Sequence, residues 1–141
     1  MSIQAVLLPM FVQIILTFVL GFWAARVRIA AVRSGAVRAR DIALREPDWP
    51  RPVLQVAYAF QNQLELPVLF YVLTILAWNT HHADLVFIVL GWVFVVLRVM
   101  HAFIHVTSND LARRATLFIA SAALLAVMWG IFIVCIMFGL G

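Results

Sequence analysis

Arg98, His101 and His105 follow one another at spacings of three and four, and Gln61, Asn62 and Glu65 lie within about one helical turn of each other upstream. On α-helices each set shares one face. A carboxylate, a guanidinium, two imidazoles and two amides gathered this way can pair charges, bind an anion or relay a proton. Histidines at this spacing suggest a metal, but two without a third ligand nearby make a weak site, and His81 and His82 belong to another part of the chain. No metal is expected. Further on, Arg113-Arg114 offer either interfacial anchors or cations that stabilise developing negative charge.

Apolar helices must position these side chains. Of the 141 residues, 66% are hydrophobic and 11% charged, with a mean hydropathy of +1.08. Soluble domains run to about 45–50% apolar and 25% charged, so a water-soluble fold of this size has no interior large enough to hide the excess. The apolar residues come in long runs separated by polar gaps, the pattern lipid imposes because every backbone group within it must be bonded inside a helix or closed barrel. Alternating barrel segments are absent. The sequence predicts an all-α integral membrane four-helix bundle, antiparallel and up-down, as one domain over 1–141. Its helices fall at about 3–25, 53–78, 84–106 and 115–140. Pro9 and Gly21 bend the first helix or let a neighbour approach. The run from Ile3 to Ala25 is too long for a signal h-region and has no positive residue before it, so it reads as a retained span.

All ten basic residues are arginines, and Arg26, Arg28, Arg33, Arg38, Arg40, Arg45 and Arg51 crowd one stretch. Together with Arg113 and Arg114 they place loops 26–52 and 107–114 in the cytoplasm and both termini outside, in an inner or plasma membrane. Pro47, Pro50 and Pro52 keep the first loop from running as continuous helix. That loop lacks aromatic interleaving and sits between spans, so nucleic acid is not an expected partner. Asp41, Glu46 and Asp48 read as solvated charges, His81 and His82 as solvated loop residues, and Asp84 as the cap of the third helix. Cys135 stands alone, so no disulfide framework exists.

Glu65 and Arg98 are equidistant from the short 79–83 connection, and antiparallel neighbours then hold them at one depth, roughly 20 Å from the outer face. A charge there costs several kcal/mol unless paired or wetted. The cheapest arrangement is a structural ion pair of Glu65 with Arg98, joined by His101, within one chain or between subunits. The two polar faces together either serve as interhelical glue or line a pocket open to the cytoplasmic side.

The segment Gln61-Asn62-Gln63-Leu64-Glu65-Leu66-Pro67, then Arg98-Val99-Met100-His101 with His105, then Arg113-Arg114, resembles the MAPEG family, membrane-associated proteins of eicosanoid and glutathione metabolism, in a bacterial-type member. The likeness extends through the four-helix layout and long first loop. It implies a homotrimer whose sites lie between subunits, bind glutathione and admit lipophilic substrates from the bilayer. By that resemblance Arg114 is the catalytic arginine that stabilises the thiolate, with Arg113 an alternative. Asn62, Glu65, Arg26, Arg113 and His105 fall on glutathione-contacting positions, and Arg98 supports Glu65. His105 stands where prostaglandin-synthase-like members have tyrosine. Gln61 and Tyr58 stand where glutathione-using members have arginines, and Ala115 replaces a serine. The resemblance therefore implies a glutathione-dependent transferase or peroxidase acting on lipophilic electrophiles. The alternative is a non-catalytic member binding a lipid or partner protein. A transporter using Glu65 and His101 as a proton relay is disfavoured, since four short spans lack broken, repeated helices.

Overall fold

The computed structural model describes residues 1–43 and 48–141; the expectations for Arg45, Glu46 and Pro47 fall outside the described residues. Among the described residues the chain is helical with no strand: α1 (Ile3–Arg33), α2 (Arg51–Asn62), α3 (Leu66–Asn79), α4 (Leu85–Val106) and α5 (Leu111–Phe138). A short 3₁₀ turn, Ala39–Asp41, interrupts the first loop. Four stretches are long and apolar enough to cross a bilayer: α1, α2 with α3, α4, and α5. The all-α membrane bundle read from the sequence is what forms.

Three boundaries differ from expectation, each for a local reason. The first helix starts on Ser2, whose Oγ accepts from the Ala5 N–H at 3.3 Å, and runs well past residue 25 to Arg33. Arginine and alanine are good helix formers, and nothing stops the helix until Gly35 adopts φ +75°. There the Ala36 N–H bonds Ala31 O at 3.0 Å and the Gly35 N–H bonds Val32 O at 3.2 Å, a Schellman closure. At 31 residues, α1 is about 46 Å long against a hydrocarbon core of about 30 Å. Its arginine-bearing end therefore projects from the membrane. The fourth span begins at Leu111 rather than 115, because the Asp110 carboxylate accepts from Ala112 and Arg113 N–H at 3.0 and 3.4 Å. Arg113 and Arg114 thus lie in its first turn.

The second span is two helices. Pro67 lacks an N–H, and its ring would meet the carbonyl four residues back; the chain breaks over Gln63–Glu65, with Glu65 at φ −101°, ψ −104°. Polar partners secure the break. Gln13 of α1, fully buried, donates from Nε2 to Gln63 Oε1 at 2.8 Å, and Gln63 Nε2 donates to Ala59 O at 3.0 Å.

The core lies on either side of this break. On the α3 side, Phe70 and Leu73 pack with Phe94 and Val95 of α4 and Leu125 and Met128 of α5. On the α2 side, Leu20, Ala59 and Ala102 join α1, α2 and α4 through small side chains. Gly21 permits the α1–α2 approach: a Cβ there would sit 3.0 Å from the Phe60 ring. The outer surface carries large apolar side chains such as Phe22 and Phe103, a surface for lipid or neighbouring protein.

At the opposite end, Asp84 caps α4 by accepting from the Phe87 N–H at 2.8 Å. His82 is not simply solvated. Its half-buried ring meets Thr80 Oγ1 and Leu140 O, each at 3.1 Å, and stands edge-on to Phe132, tying the α3–α4 turn to the C-terminal end of α5.

Candidate functional site

A groove of about 520 Å³ opens between α2, α4 and the start of α5. Tyr58, Gln61, Asn62 and Glu65 form one wall, His101 and His105 another, and Leu111, Arg114, Ala115, Phe118 and Ile119 the third. Helical period places Tyr58 with Gln61 or Asn62 on α2, His101 with His105 on α4, and Leu111, Arg114 or Ala115, and Phe118 or Ile119 on α5, while Glu65 joins from the turn that breaks the second span. Gln55 Nε2 donates to Thr107 O at 3.0 Å, fastening the first half of α2 to the end of α4 beside the groove.

Asn62 Nδ2 lies 3.2 Å from His105 Nδ1. The His101 and His105 rings meet edge to face with centroids 5.8 Å apart, and His101 leans on Phe118 at 6.1 Å. Arg114 is held in place by Asn109 Oδ1, which accepts from its Nη1. Asn109 takes φ +51°, a conformation asparagine tolerates better than most residues. Arg113 turns away: exposed, it pairs with Asp110 at 3.5 Å and takes no part in the groove wall. Of the two adjacent arginines, only Arg114 faces the groove.

Arg98 is fully buried behind the groove, its guanidinium carbon 5.9 Å from the Phe118 ring centre. Its Nη2 donates to the carbonyl of Asn62, the last residue of α2, at 3.1 Å. The expected Glu65–Arg98–His101 ion pair does not form within one chain; among the described residues the salt bridges are Arg40–Asp41 and Arg113–Asp110. The cause is the break, which ends α2 with a carbonyl free to accept from Arg98 and leaves Glu65 exposed. Glu65 stands on a ridge, lining both the groove and a second cavity of about 500 Å³ that includes Arg28, Trp49 and Phe60. There the Arg28 guanidinium lies 5.4 Å from the Trp49 ring centre.

Within one chain, then, the groove gathers Arg114, Asn62, Glu65, His101 and His105. It does not gather Arg26, which lies exposed on α1 along a separate surface groove with Phe22, Ile29 and Arg33. The sequence argument missed the apolar wall of Leu111, Phe118 and Ile119, though counting three and four residues on from Leu111 and Arg114 would have found it. It also missed Asn109 as the holder of Arg114.

A helical membrane bundle with a polar groove between spans at one end defines the class: a multi-pass integral membrane protein with an interhelical site. The MAPEG family model matches residues 6–134, nearly the whole chain, and the chain belongs to that family. No curated protein and no solved structure matches it.

Proposed function

We propose that the chain is a membrane-embedded glutathione-dependent transferase or peroxidase acting on lipophilic electrophiles. The observation that carries this reading is the single groove that brings Arg114, His105, Asn62 and Glu65 together. Its volume lies in the usual range for small-molecule sites, about 300–1,000 Å³. Its donors and acceptors suit a thiol tripeptide: a guanidinium and an imidazole for negative charge, a carboxylate for an ammonium, and amides for peptide groups. Glutathione, when bound, supplies a thiol whose proton passes to water and whose sulfur bonds to the electrophile as the leaving group departs, or takes the distal oxygen of a hydroperoxide as the O–O bond breaks and the alcohol leaves.

The chain's own groups do the positioning. Arg114 provides the positive potential that holds a thiol in its ionised form. Glu65 faces the ammonium, and Asn62 offers its amide oxygen to a peptide N–H. Phe118, Ile119 and Leu111 form an apolar wall for a substrate arriving from the bilayer. In a homotrimer, Arg26 of an adjoining copy supplies a further cation for a carboxylate. The arginine distribution supports placing the groove, with loops 26–52 and 107–114, on the cytoplasmic side.

A second reading rests on one specific observation. Among the described residues Arg114 is the one arginine on the groove wall, with Tyr58 and Gln61 also lining it in place of further cations. That weaker hold on carboxylates favours a non-catalytic member that binds a lipid or partner protein. Calorimetry of the detergent-purified protein with glutathione separates the two. The catalytic reading requires saturable heat that falls steeply in Arg114→Ala; no saturable heat in wild type removes it.

A further inference from the structure

The hydrogen bonds of the groove histidines determine what each ring can offer. Asn62 Nδ2 lies 3.2 Å from His105 Nδ1; an amide NH₂ has hydrogens to give and no lone pair to lend, so with the amide in this orientation the ring nitrogen accepts and the proton of a neutral His105 belongs on Nε2. His105 is buried, its ring held between Asn62 and the edge-to-face contact with His101. Its Nε2 makes no hydrogen bond among the described residues. It lines the same groove as Arg114. Ala115, next to Arg114 on the groove wall, carries no hydroxyl.

We propose that His105, fixed by Asn62 as the Nε2–H tautomer, donates that hydrogen to the sulfur of the bound thiol and shares its stabilisation with Arg114. This rests on the glutathione reading above and assigns His105 a defined role within it. The thiol proton leaves to water through the open groove. His105 neither gains nor loses a proton, and no bond to its ring forms or breaks. The electron pair left on sulfur is then held by two donors, a guanidinium from α5 and a neutral imidazole from α4.

Two measurements test this. In detergent-solubilised protein with ¹⁵N-labelled histidine, the His105 ring should show a protonated Nε2 and a bare Nδ1, and Asn62→Ala should turn this into a mixture. A protonated Nδ1 in the wild type overturns the proposal. The second measurement titrates the thiolate ultraviolet absorbance of bound glutathione against pH. Below the wild-type midpoint, His105→Phe should lower the bound thiolate fraction about tenfold, the worth of one charge-assisted hydrogen bond. His105→Gln, which keeps an N–H donor and guards against misfolding of the Phe variant, should recover most of the loss. Affinity for S-methylglutathione, which has no ionisable thiol, should not follow the same pattern. Glutathione binding with an unchanged titration in both His105 variants overturns this inference alone, as does a shift in Tyr58→Phe without one in His105→Phe. Absence of glutathione binding in the wild type overturns the proposed function, and this inference with it.

Discussion

Arg113 and Arg114 are adjacent in sequence, and the structure assigns them opposite fates, which makes their separate removal the sharpest test of the site. Arg114 is half-buried on the groove wall and held by Asn109; Arg113 is exposed and paired with Asp110 at 3.5 Å. Two unit charges about 4 Å apart attract by roughly 4 kcal/mol at an effective dielectric of about 20. The groove is open rather than enclosed, so the smaller worth of a charge-assisted hydrogen bond, about 1.5–3 kcal/mol, is the better guide. At about 1.4 kcal/mol per decade, Arg114→Ala should weaken glutathione binding about tenfold to a hundredfold. Arg113→Ala removes a surface ion pair worth about 0–1 kcal/mol to stability and should change binding less than about twofold.

Asn109→Gly supplies an intermediate case. It keeps the positive φ of residue 109 while deleting the amide that holds Arg114. Loss of one ordinary hydrogen bond, about 0.5–1.5 kcal/mol, predicts about a twofold to tenfold weakening. Calorimetry with glutathione in one detergent, at one ionic strength, ranks the three variants. Equal losses in Arg113→Ala and Arg114→Ala, or an Arg114→Ala protein that binds within about twofold of wild type, would refute the assignment of Arg114 as the groove cation.

Three further outcomes concern the scaffold. Gly21→Leu should destabilise by about 1–3 kcal/mol, because its Cβ alone already meets Phe60 at 3.0 Å. Gly130→Leu, with nothing within 4 Å, should stay within about 0.5 kcal/mol; reversible unfolding by SDS in mixed micelles compares the pair, and equal losses contradict the packing described. A double-mutant cycle of Glu65→Gln and Arg98→Met in monomeric protein should give a coupling below about 0.5 kcal/mol, since Arg98 bonds the Asn62 carbonyl. A coupling above about 1.5 kcal/mol would show that the carboxylate and guanidinium are paired after all. Asp84→Ala removes the cap on Phe87 and should cost about 1 kcal/mol, with faster hydrogen exchange at the Phe87 amide; unchanged exchange there counts against the cap.

The four spans were legible because lipid permits few structures, and runs such as Leu85–Met100 leave little choice between them. The polar faces were legible for a similar reason: Arg98, His101 and His105 have no use toward lipid, and their spacing fixes a common side. Partners were harder to read. Charge pairing suggested Glu65 for Arg98, since opposite charges at one depth attract, yet the acceptor proved to be a backbone carbonyl exposed by a helix end. Nothing in a carbonyl's sequence position marks it as free. The extension of α1 to Arg33 was hidden because clustered arginines read as loop, although arginine itself favours helix. Gln13 was hidden because one amide in an apolar run carries no pattern; its role appears only when Gln63 arrives from the break at 2.8 Å.

Pro67 has the widest consequences for the site. Because it precludes a continuous ladder, α2 ends at Asn62, whose carbonyl takes Arg98 and whose side chain meets His105, while Glu65 turns outward onto the ridge between the two cavities. Pro67→Ala restores the missing N–H and allows α2 and α3 to join, with the Leu66 N–H competing against Arg98 for the Asn62 carbonyl. Each residue added to a regular helix turns the chain by about 100°, so regularising the 63–65 turn must rotate Asn62 and Glu65 relative to α3. The stability change should be small, within about 1 kcal/mol, because a regained backbone bond offsets a lost one. Site geometry should suffer more. Hydrogen exchange at the amides of residues 64–66 should slow while glutathione binding weakens. Slower exchange with unaltered binding would mean that the break serves packing alone, and unchanged exchange would mean that Pro67 is not what breaks the span.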